Sequence, residues 1–551
     1  MASSDTDVSQ PAVGDEGSAR LSRATAGMAV ATFFSRLTGF GRVVALAYAL
    51  GFTRFTDSYN LANTTPNIIY DLVLGGILAS FIVPVFVEHL TTGHEDDAWE
   101  AISVVVTTAM LVLVGVTLLF VVIAPTVIHV YSFRLHGQTA HDQQEVATAL
   151  LRMFAPQILF YGMTALVAAV LNARHKFVLP MATPILNNVI VIGVLLLVPH
   201  MAHSTELRNL HDVRKDTGLL LFLGLGTTLG VAVQAFTLIP ALRRAAPHLR
   251  FRWNPRHAVL RQVLRLSGWT FGYVISNQVA FWIALVLANG TAGGISAYSA
   301  AYIFFQLPYG ILAVSILTAL TPDLAERWSR HDLAGFRRRL GTGIRTGALV
   351  LVPAAVGYIV LARPLVALLL EHGQFTKGNA HLTADVLVWF AIGLPAFSLY
   401  LLFVRGYTAM QDTRTPFIIN AGENLVVIVL DLILYPVMGV HGLALGFTIS
   451  YVVAAAVAGW DLRRRTGGIA DTGTGATVLR VAAATTVMAA AVIVVSVGIN
   501  DQRGFVLAAR VLGSVAVGVI VFAAAARALG VRELTTFTRQ ILRRPAGVDG
   551  A

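Results

Sequence analysis

The chain of 551 residues contains no cysteine and unusually little charge. Without cysteine it can form neither a disulfide nor a thiolate metal site, so the redox compartment cannot be inferred. Charged residues make up 13% of the chain, whereas soluble domains contain about 25%. Hydrophobic residues make up 56%, and the mean hydropathy is +0.71. Because so apolar a surface cannot be hidden from water, the composition predicts an integral membrane protein.

Sequence signatures of catalysis are also missing. There is no glycine-rich phosphate loop of the Walker A type, so direct ATP hydrolysis is unsupported. No HExxH motif or dense spacing of metal ligands occurs, and the 15 histidines are scattered. We therefore expect a protein that is not an enzyme and has no resident cofactor, with coupling to Na⁺ or H⁺ left open.

Long apolar runs of the length needed to cross a bilayer dominate the rest of the sequence. Fourteen such runs occur, at 25–50, 59–88, 99–124, 147–172, 178–200, 217–242, 264–289, 295–322, 345–370, 382–408, 415–436, 440–461, 477–498 and 505–529. The sequence therefore predicts an all-α membrane protein with about 14 transmembrane helices.

The basic residues are distributed asymmetrically among the connections between these runs. The net charge is +11, and only three of the 40 basic residues are lysines. Most of them lie near the termini and in every second connection, as in the clusters Arg243 to Arg265 and Arg327 to Arg345. Basic connections stay on the cytoplasmic side. We therefore predict a multi-pass membrane protein with both termini in the cytoplasm.

An internal repeat relates the two halves of the chain at offsets near 236–242 residues, pairing Pro66 with Pro308 and Pro125 with Pro364. Six spans separate the copies, which predicts a parallel repeat about a pseudo-twofold axis along the membrane normal. The predicted organisation comprises five segments: a disordered cytoplasmic tail (1–23), an N-lobe of six spans (24–245), an amphipathic linker with a C-lobe of six spans (246–465), two further spans (466–530) and a basic cytoplasmic tail (531–551).

Polar residues form a stripe along the second span. Asn60, Asn63, Asn67 and Asp71 share one helical face, and Tyr70 lies beside it. Such residues are costly in lipid. The stripe indicates either the wall of a hydrated cavity, which we favour, or hydrogen bonding between helices inside the bundle.

Two arginines lie within the first apolar run, at Arg36 and Arg42. Arginine offers a fork of donors that suits phosphate, and it does not lose its proton. We therefore predict an anionic ligand. The alternatives are ion pairs with Asp57 or Asp71, or an Arg42 side chain that extends to the membrane surface.

The eleventh span carries Glu423, Asn424 and Asp431. Buried carboxylates in a transporter suggest coupling to a cation or proton. A structural ion pair, for instance with Arg405, is the alternative. On the eighth span, Gln306 extends a weaker polar stripe that fits either packing or cavity lining.

In combination, several motifs resemble the MurJ/MviN family of lipid II flippases, part of a superfamily that also contains multidrug/cation antiporters and polysaccharide flippases. The motifs are Ser35–Arg42, Thr56-Asp57, Thr65-Pro66-Asn67, Phe81-Ile-Val-Pro-Val-Phe86 and Tyr407–Pro416. The resemblance implies fourteen helices, two lobes, a cationic cavity and alternating access, and it matches Arg36, Arg42 and Asp57 to functional residues. The arginine-rich, lysine-poor usage suggests an actinobacterial member.

The sequence departs from this family at three positions. Tyr70 and Ile303 stand where many members have arginine, and Val427 stands where sodium-binding relatives have asparagine. We predict a flippase whose partners are lipid II or a related polyprenyl-pyrophosphate glycolipid, membrane lipids and the cell-wall synthesis machinery, with no nucleic acid. The alternatives are a drug/cation antiporter, a polysaccharide flippase, a lipid-sugar transferase and a scaffold that transports nothing.

Overall fold

The computed structural model describes residues 14–74, 95–174, 176–202, 207, 209–258, 260–261, 268–310, 314–498 and 504–534. These residues form eighteen α-helices. In chain order they are α1 (Gly14–Leu50), α2 (Arg54–Leu74), α3 (Glu95–Tyr131), α4 (Gly137–Phe154), α5 (Pro156–Ala173), α6 (Val178–Met201), α7 (Leu210–Lys215), α8 (Thr217–Phe236), α9 (Ile239–Ala245), α10 (Gly268–Ala288), α11 (Gly294–Pro308), α12 (Val314–Ser329), α13 (Leu333–Leu370), α14 (Lys377–Ala409), α15 (Arg414–Met438), α16 (Val440–Thr466), α17 (Thr474–Gly498) and α18 (Gly504–Ala528).

Twelve helical segments of the described chain are long and apolar enough to cross a membrane. They match twelve of the predicted spans. The second and eighth predicted spans begin with the more polar helices α2 and α11 and run into residues 75–94 and 311–313, which lie outside the described residues. The all-α membrane fold is confirmed, and the total of fourteen spans stays a prediction.

Large apolar side chains on these helices face outward at mid-length. Val122, Leu479 and Val519 are each more than 60% exposed. Such surfaces are stable only against lipid, because the hydrophobic effect would otherwise drive them out of water.

Helices α1 to α9 pack into one lobe, and α10 to α16 pack into a second. In the first lobe α1 packs on α6, α6 on α8, and α2 on α4 and α5. In the second, α14 lies between α13 and α16, and α15 joins α10 to α16. The last two helices, α17 and α18, pack on each other and on α13. Phe305, Phe390, Phe397 and Phe447 form the aromatic centre of the second lobe, with ring centroids 5.2–6.0 Å apart.

The predicted disordered tail at 1–23 is wrong over its last ten residues. Helix α1 begins at Gly14, well before the apolar run. The polar composition of this segment indicates exposure to water, and a segment that is exposed to water can still form a helix.

The linker after α9 runs alongside helix α3 with its backbone extended. The backbone N–H groups of Arg250 and Arg252 donate to the hydroxyls of Ser103 and Thr107, which lie one turn apart on α3. Alternate residues therefore point away from the lobe, and Phe251 and Trp253 are exposed.

A carboxylate closes the connection between α14 and α15. Asp412 accepts hydrogen bonds from the N–H groups of Arg414 and Thr415 at 3.0 Å, from the Thr415 hydroxyl at 2.6 Å and from Arg465 at 2.7 Å. Burial opposes ionisation most strongly, yet these hydrogen bonds and the Arg465 charge together lower the pKa of Asp412.

We expect Asp412→Ala to destabilise the protein by about 1 kcal/mol, the usual contribution of a capping side chain. A lowered pKa means that the ionised form stabilises the fold above the ordinary aspartate pKa and that this contribution is lost as the pH falls through the lowered value. Thermal unfolding in detergent should therefore separate variant and wild type at pH 7 and converge under acid conditions. Glu326→Ala, which removes the exposed Glu326–Arg330 pair, is the control and should change stability little. An unchanged unfolding temperature for Asp412→Ala at pH 7 would contradict this role.

Candidate functional site

A cavity of about 340 Å³ lies where the two lobes face each other. The first lobe contributes Asp71 from α2. The second contributes polar and aromatic residues of α10, α11, α15 and α16, among them Asn277, Gln278, Tyr298, Tyr302, Glu423, Asn424, Asp431, Phe447 and Tyr451. The structure thus brings together Asp71 and the three predicted residues of the eleventh span, which is helix α15.

Carboxylates and amides line the C-lobe side of this cavity. Glu423 accepts a hydrogen bond from the Ser450 hydroxyl at 2.7 Å, and Asn424 donates to the side chain of Asn420 at 3.2 Å. Asp431 is only 1% exposed, and its Oδ1 has no hydrogen-bond partner among the described residues. A buried acceptor without a donor is costly, so this oxygen is poised to bind a proton or a cation.

The predicted ion pair between these carboxylates and Arg405 does not occur. Within the described part of the chain, no basic side chain lies within ion-pair distance of Glu423 or Asp431. Asp71 instead accepts a hydrogen bond from the amide of Gln278 at 2.8 Å. The alternative explanation for the acidic residues of the eleventh span is therefore wrong for the described residues.

Arg42 lies half-buried inside the first lobe among neutral polar groups. Its guanidinium lies within electrostatic range of the hydroxyls of Tyr59 and Tyr161. Tyr161 in turn lies near Asn67 of the predicted stripe and near Asn187. Neutral partners position the guanidinium without neutralising it, so its charge stays available to an anion.

Arg36 is exposed and reaches the opposite lobe. A methyl group placed on Gly310, just beyond α11, would come within 2.8 Å of Arg36 Nη1. Arg405 on α14 is also exposed, and Tyr309 lies within electrostatic range of both guanidinium groups. Two arginines from different lobes thus flank one tyrosine. Sequence reasoning treated Arg405 only as a partner for carboxylates and missed this arrangement, because only the fold brings the first and tenth spans together.

The polar stripe of the second span does not form one continuous cavity wall. Asn60 donates to the Ser296 hydroxyl of the other lobe at 3.0 Å, and Asn67 donates to the Asn63 carbonyl at 2.9 Å. Asn63 is buried, and its side-chain oxygen is unpaired among the described residues. Tyr70 packs against Tyr161, with 6.0 Å between the ring centroids. Only Asp71 of the stripe lines the cavity between the lobes, and on the eighth span Gln306 lies close to Tyr302.

Asp57 has a different place from the one that the resemblance implies. It is fully buried and accepts hydrogen bonds from the N–H groups of Gly293 and Ser296, at 2.7 and 3.0 Å, and from the Ser296 hydroxyl at 2.8 Å. A first-lobe carboxylate therefore caps the N-terminus of the second-lobe helix α11. Nearby, Arg54 donates to the backbone carbonyls of Asn289 and Gly290. Asp57 thus joins the lobes, and its predicted contact with substrate has no exposed surface in this arrangement.

Three glycines with positive φ complete this contact between the lobes. A Cβ atom would come within 2.6 Å of the Gln374 carbonyl oxygen at Gly51, within 2.5 Å of the Phe52 carbonyl oxygen at Gly293, and against the Tyr48 carbonyl oxygen at Gly373. The amide of Asn379 also bridges the N–H and carbonyl of Phe52. All these contacts lie on the face of the protein whose connections contain few arginines, which we call the arginine-poor face. We call this set of contacts the interlobe seal.

Comparison with known proteins identifies the family. The sequence profile described as "Lipid II flippase MurJ" matches residues 46–515. The chain belongs to the MurJ family of lipid II flippases. A probable lipid II flippase of Thermotoga maritima is 27% identical over 431 residues, covering 78% of this chain and 82% of that protein. One of Haemophilus influenzae is 28% identical over 418 residues, covering 72% of this chain and 79% of that protein.

Solved structures support the same fold. A MurJ lipid II flippase in an inward closed conformation aligns with a TM-score of 0.74 at 22% identity, covering 94% of this chain and 99% of that one. An inward-facing multidrug transporter of the MATE family aligns with a TM-score of 0.65 at 13% identity, covering 80% of this chain and 98% of that one. The fold is therefore shared with a transporter of another family, and membership of the MurJ family comes from the sequence.

We expect Gly373→Ala to open the interlobe seal, because the new methyl group would press on the Tyr48 carbonyl and the positive φ of 62° would be strained. The cysteine-free chain allows spin labels at Phe133→Cys and Lys377→Cys, two exposed positions on the arginine-poor face of opposite lobes. Pulsed electron paramagnetic resonance should then show longer label distances. Gly378→Ala has only ordinary contacts and is the matched control. Identical distance distributions for both variants would show that Gly373 does not maintain the seal.

Proposed function

We propose that this chain moves lipid II from the cytoplasmic to the outer leaflet of a bacterial plasma membrane by alternating access, and so supplies peptidoglycan synthesis. Both termini lie in the cytoplasm in this proposal, because the basic connections gather on one face. The interlobe seal is then extracytoplasmic, and the cavity receives its substrate from inside.

The observation that carries this proposal is the pair of exposed arginines on opposite lobes. Arg36 lies against Gly310, both Arg36 and Arg405 are within electrostatic range of Tyr309, and neither arginine has a carboxylate partner among the described residues. A pyrophosphate offers several oxygens to two forked guanidinium groups, so one anion can contact both lobes at once. Arg42 adds a third positive charge deeper in the first lobe. The undecaprenyl chain would remain in the bilayer while the sugar-peptide head occupies the space between the lobes.

The order of steps in the proposed translocation cycle follows from the contacts of the two arginines and of the interlobe seal. Binding of the pyrophosphate draws Arg36 and Arg405 together and closes the cytoplasmic side. The interlobe seal then separates, and water takes over its hydrogen bonds. Membrane potential can bias this step, since moving one charge through 100 mV changes the free energy by about 2.3 kcal/mol.

Substitution of the arginines tests the assignment. We expect Arg36→Ala, Arg42→Ala and Arg405→Ala each to reduce lipid II translocation by about tenfold or more, the effect of losing one charge-assisted contact. Arg36→Lys should be intermediate, because the charge remains and the fork is lost. The measurement is cleavage of lipid II by an enzyme added outside depleted cells that express each variant at equal level. Arg480→Ala removes an exposed arginine bonded to the Gly530 carbonyl and is the control. Full translocation by both Arg36→Ala and Arg42→Ala would refute the assignment.

We further propose that Glu423 and Asp431 form the coupling site for a proton or Na⁺. The unpaired Asp431 Oδ1 and the Glu423–Ser450 hydrogen bond supply oxygen ligands in a buried place. Two carboxylates suit a monovalent cation or a shared proton. Asn424 lies next to them on α15 and adds an amide.

The coupling assignment predicts that Asp431→Asn abolishes stimulation of translocation by an imposed Na⁺ or proton gradient in proteoliposomes, while lipid II binding remains. Glu423→Gln should reduce the same stimulation. Glu326→Gln, an exposed carboxylate outside the cavity, is the control. If Asp431→Asn responds to both gradients as the wild type does, the carboxylates have no coupling role.

The aromatic and acidic C-lobe wall also favours a second function, export of organic cations. Tyr298, Tyr302 and Phe447 surround the carboxylates, as cation–π binding requires. The positive charges of Arg36, Arg42 and Arg405 oppose that ligand, whereas they suit a pyrophosphate. Drug resistance on overexpression that is lost in Asp431→Asn would favour the antiporter, and unchanged sensitivity would favour the flippase.

A further inference from the structure

A second cavity of about 470 Å³ lies on the arginine-poor face, away from the space between the lobes. It is bounded by the end of α13, the start of α14 and the start of α18. Its polar lining residues are Arg363, Glu371, Lys377, His381 and Arg510, and Ala367 and Ala380 contribute small side chains that leave space. We call it the rim cavity. Its volume falls within the range of small-ligand sites.

Basic groups converge on the rim cavity although the face as a whole is poor in them. Arg363 and Arg510 come from separate spans, and Lys377 comes from the connection between α13 and α14. Among the described residues the only carboxylates near them are Glu371 and Asp385. The Arg363–Asp385 contact is 3.3 Å long and largely exposed, so it neutralises little of the charge.

Arg510 is held in a conformation that suits an anion. Its Nε donates to the hydroxyl of Ser496 on α17 at 3.1 Å, and Ser496 is buried. This bond fixes the plane of the guanidinium and leaves both terminal nitrogens free to donate. Lys377 is exposed and has no hydrogen-bond or ion-pair partner in the described ranges. A fixed fork beside a mobile ammonium group is suited to phosphate oxygens.

The depth of the arginines indicates where the ligand comes from. Arg363 lies seven residues before the end of α13, and Arg510 lies six residues after the start of α18. At 1.5 Å per residue, both Cα atoms lie about 10 Å inside the helix ends, in the outer part of the hydrocarbon region, and a long arginine side chain extends from there to the headgroup level. Phe505 and Leu512 on α18 are exposed to the surrounding lipid. An anion that reaches this site from the bilayer brings a hydrocarbon chain with it.

We propose that the rim cavity binds the phosphate headgroup of an anionic lipid in the outer leaflet. The leaflet rests on the orientation in the proposed function, whereas binding itself does not. The headgroup contacts Arg510, Arg363 and Lys377, and its chains lie along the exposed face of α18.

The test uses the full chain purified in detergent and headgroup-labelled phosphatidylglycerol, with bound lipid measured by fluorescence anisotropy. We expect Lys377→Gln and Arg510→Gln each to weaken binding by about tenfold to a hundredfold, the range for one hydrogen bond to a charged group. Arg134→Gln removes an exposed arginine from the same face and is the matched control, expected to bind as the wild type does. Thermal unfolding of each sample shows whether it is folded, and Lys377→Gln removes no internal bond in any described segment.

Competition identifies the source of the phosphate. Unlabelled phosphatidylglycerol should displace the probe, and inorganic phosphate or glycerol phosphate at the same concentration should not. Displacement by free phosphate would overturn the lipid assignment, and equal binding by Lys377→Gln, Arg510→Gln and wild type would overturn the site. Neither result depends on translocation, so failure of this proposal is distinguishable from failure of the flippase assignment.

Discussion

The buried carboxylate of Asp57 determines how the two lobes meet. A charge with no exposed surface is stable only when its lone pairs are satisfied, and here Gly293 and Ser296 of the opposite lobe provide all three donors. The same groups would otherwise be unpaired N–H donors at the start of α11. At this face, neither lobe alone provides hydrogen-bond partners for its own buried polar groups. Separation is therefore possible only where water can replace the lost bonds, which is what a gate toward an aqueous side requires.

The internal repeat explains why this contact lies where it does. Asn60 bonds to Ser296, and Asp57 bonds to Gly293, with 236 residues between the partners of each pair. That separation falls within the offset of the repeat. When equivalent positions of two copies touch, they lie close to the axis that relates the copies. The seal is therefore central, and a small rotation of either lobe disturbs all of its short contacts together.

Charge is divided between the lobes in a way that suits an anionic cargo and a cationic driving ion. Arg36 and Arg42 belong to the first lobe, whereas Glu423 and Asp431 belong to the second. No ion pair joins the two groups in the described ranges, so each keeps its charge for a ligand. Arg405 on α14 adds an exposed positive charge to the second lobe.

The sequence alone predicted those features that depend on residues close together along the chain. Apolar length predicted the spans, and the same reasoning placed Glu423, Asn424 and Asp431 together on the eleventh span. Asp57 was assigned to substrate because its motif matched the family, yet its partners lie 236 and 239 residues away and only packing brings them near. Arg405 was missed for the same reason. Residues whose role is set by a neighbour on another helix cannot be recognised from spacing along one helix.

Helix α11 connects the features that a transport cycle must coordinate. Its N-terminus is capped by Asp57 at the interlobe seal, and its middle carries Tyr298 and Tyr302 into the acidic cavity. Just past its other end lies Gly310, against the guanidinium of Arg36. A helix of this length moves as a rigid rod, so a shift at one of these places is transmitted to the others. In the proposed cycle, cation occupancy beside Tyr298, anion binding beside Arg36 and opening of the seal at Asp57 would therefore act on the same helix.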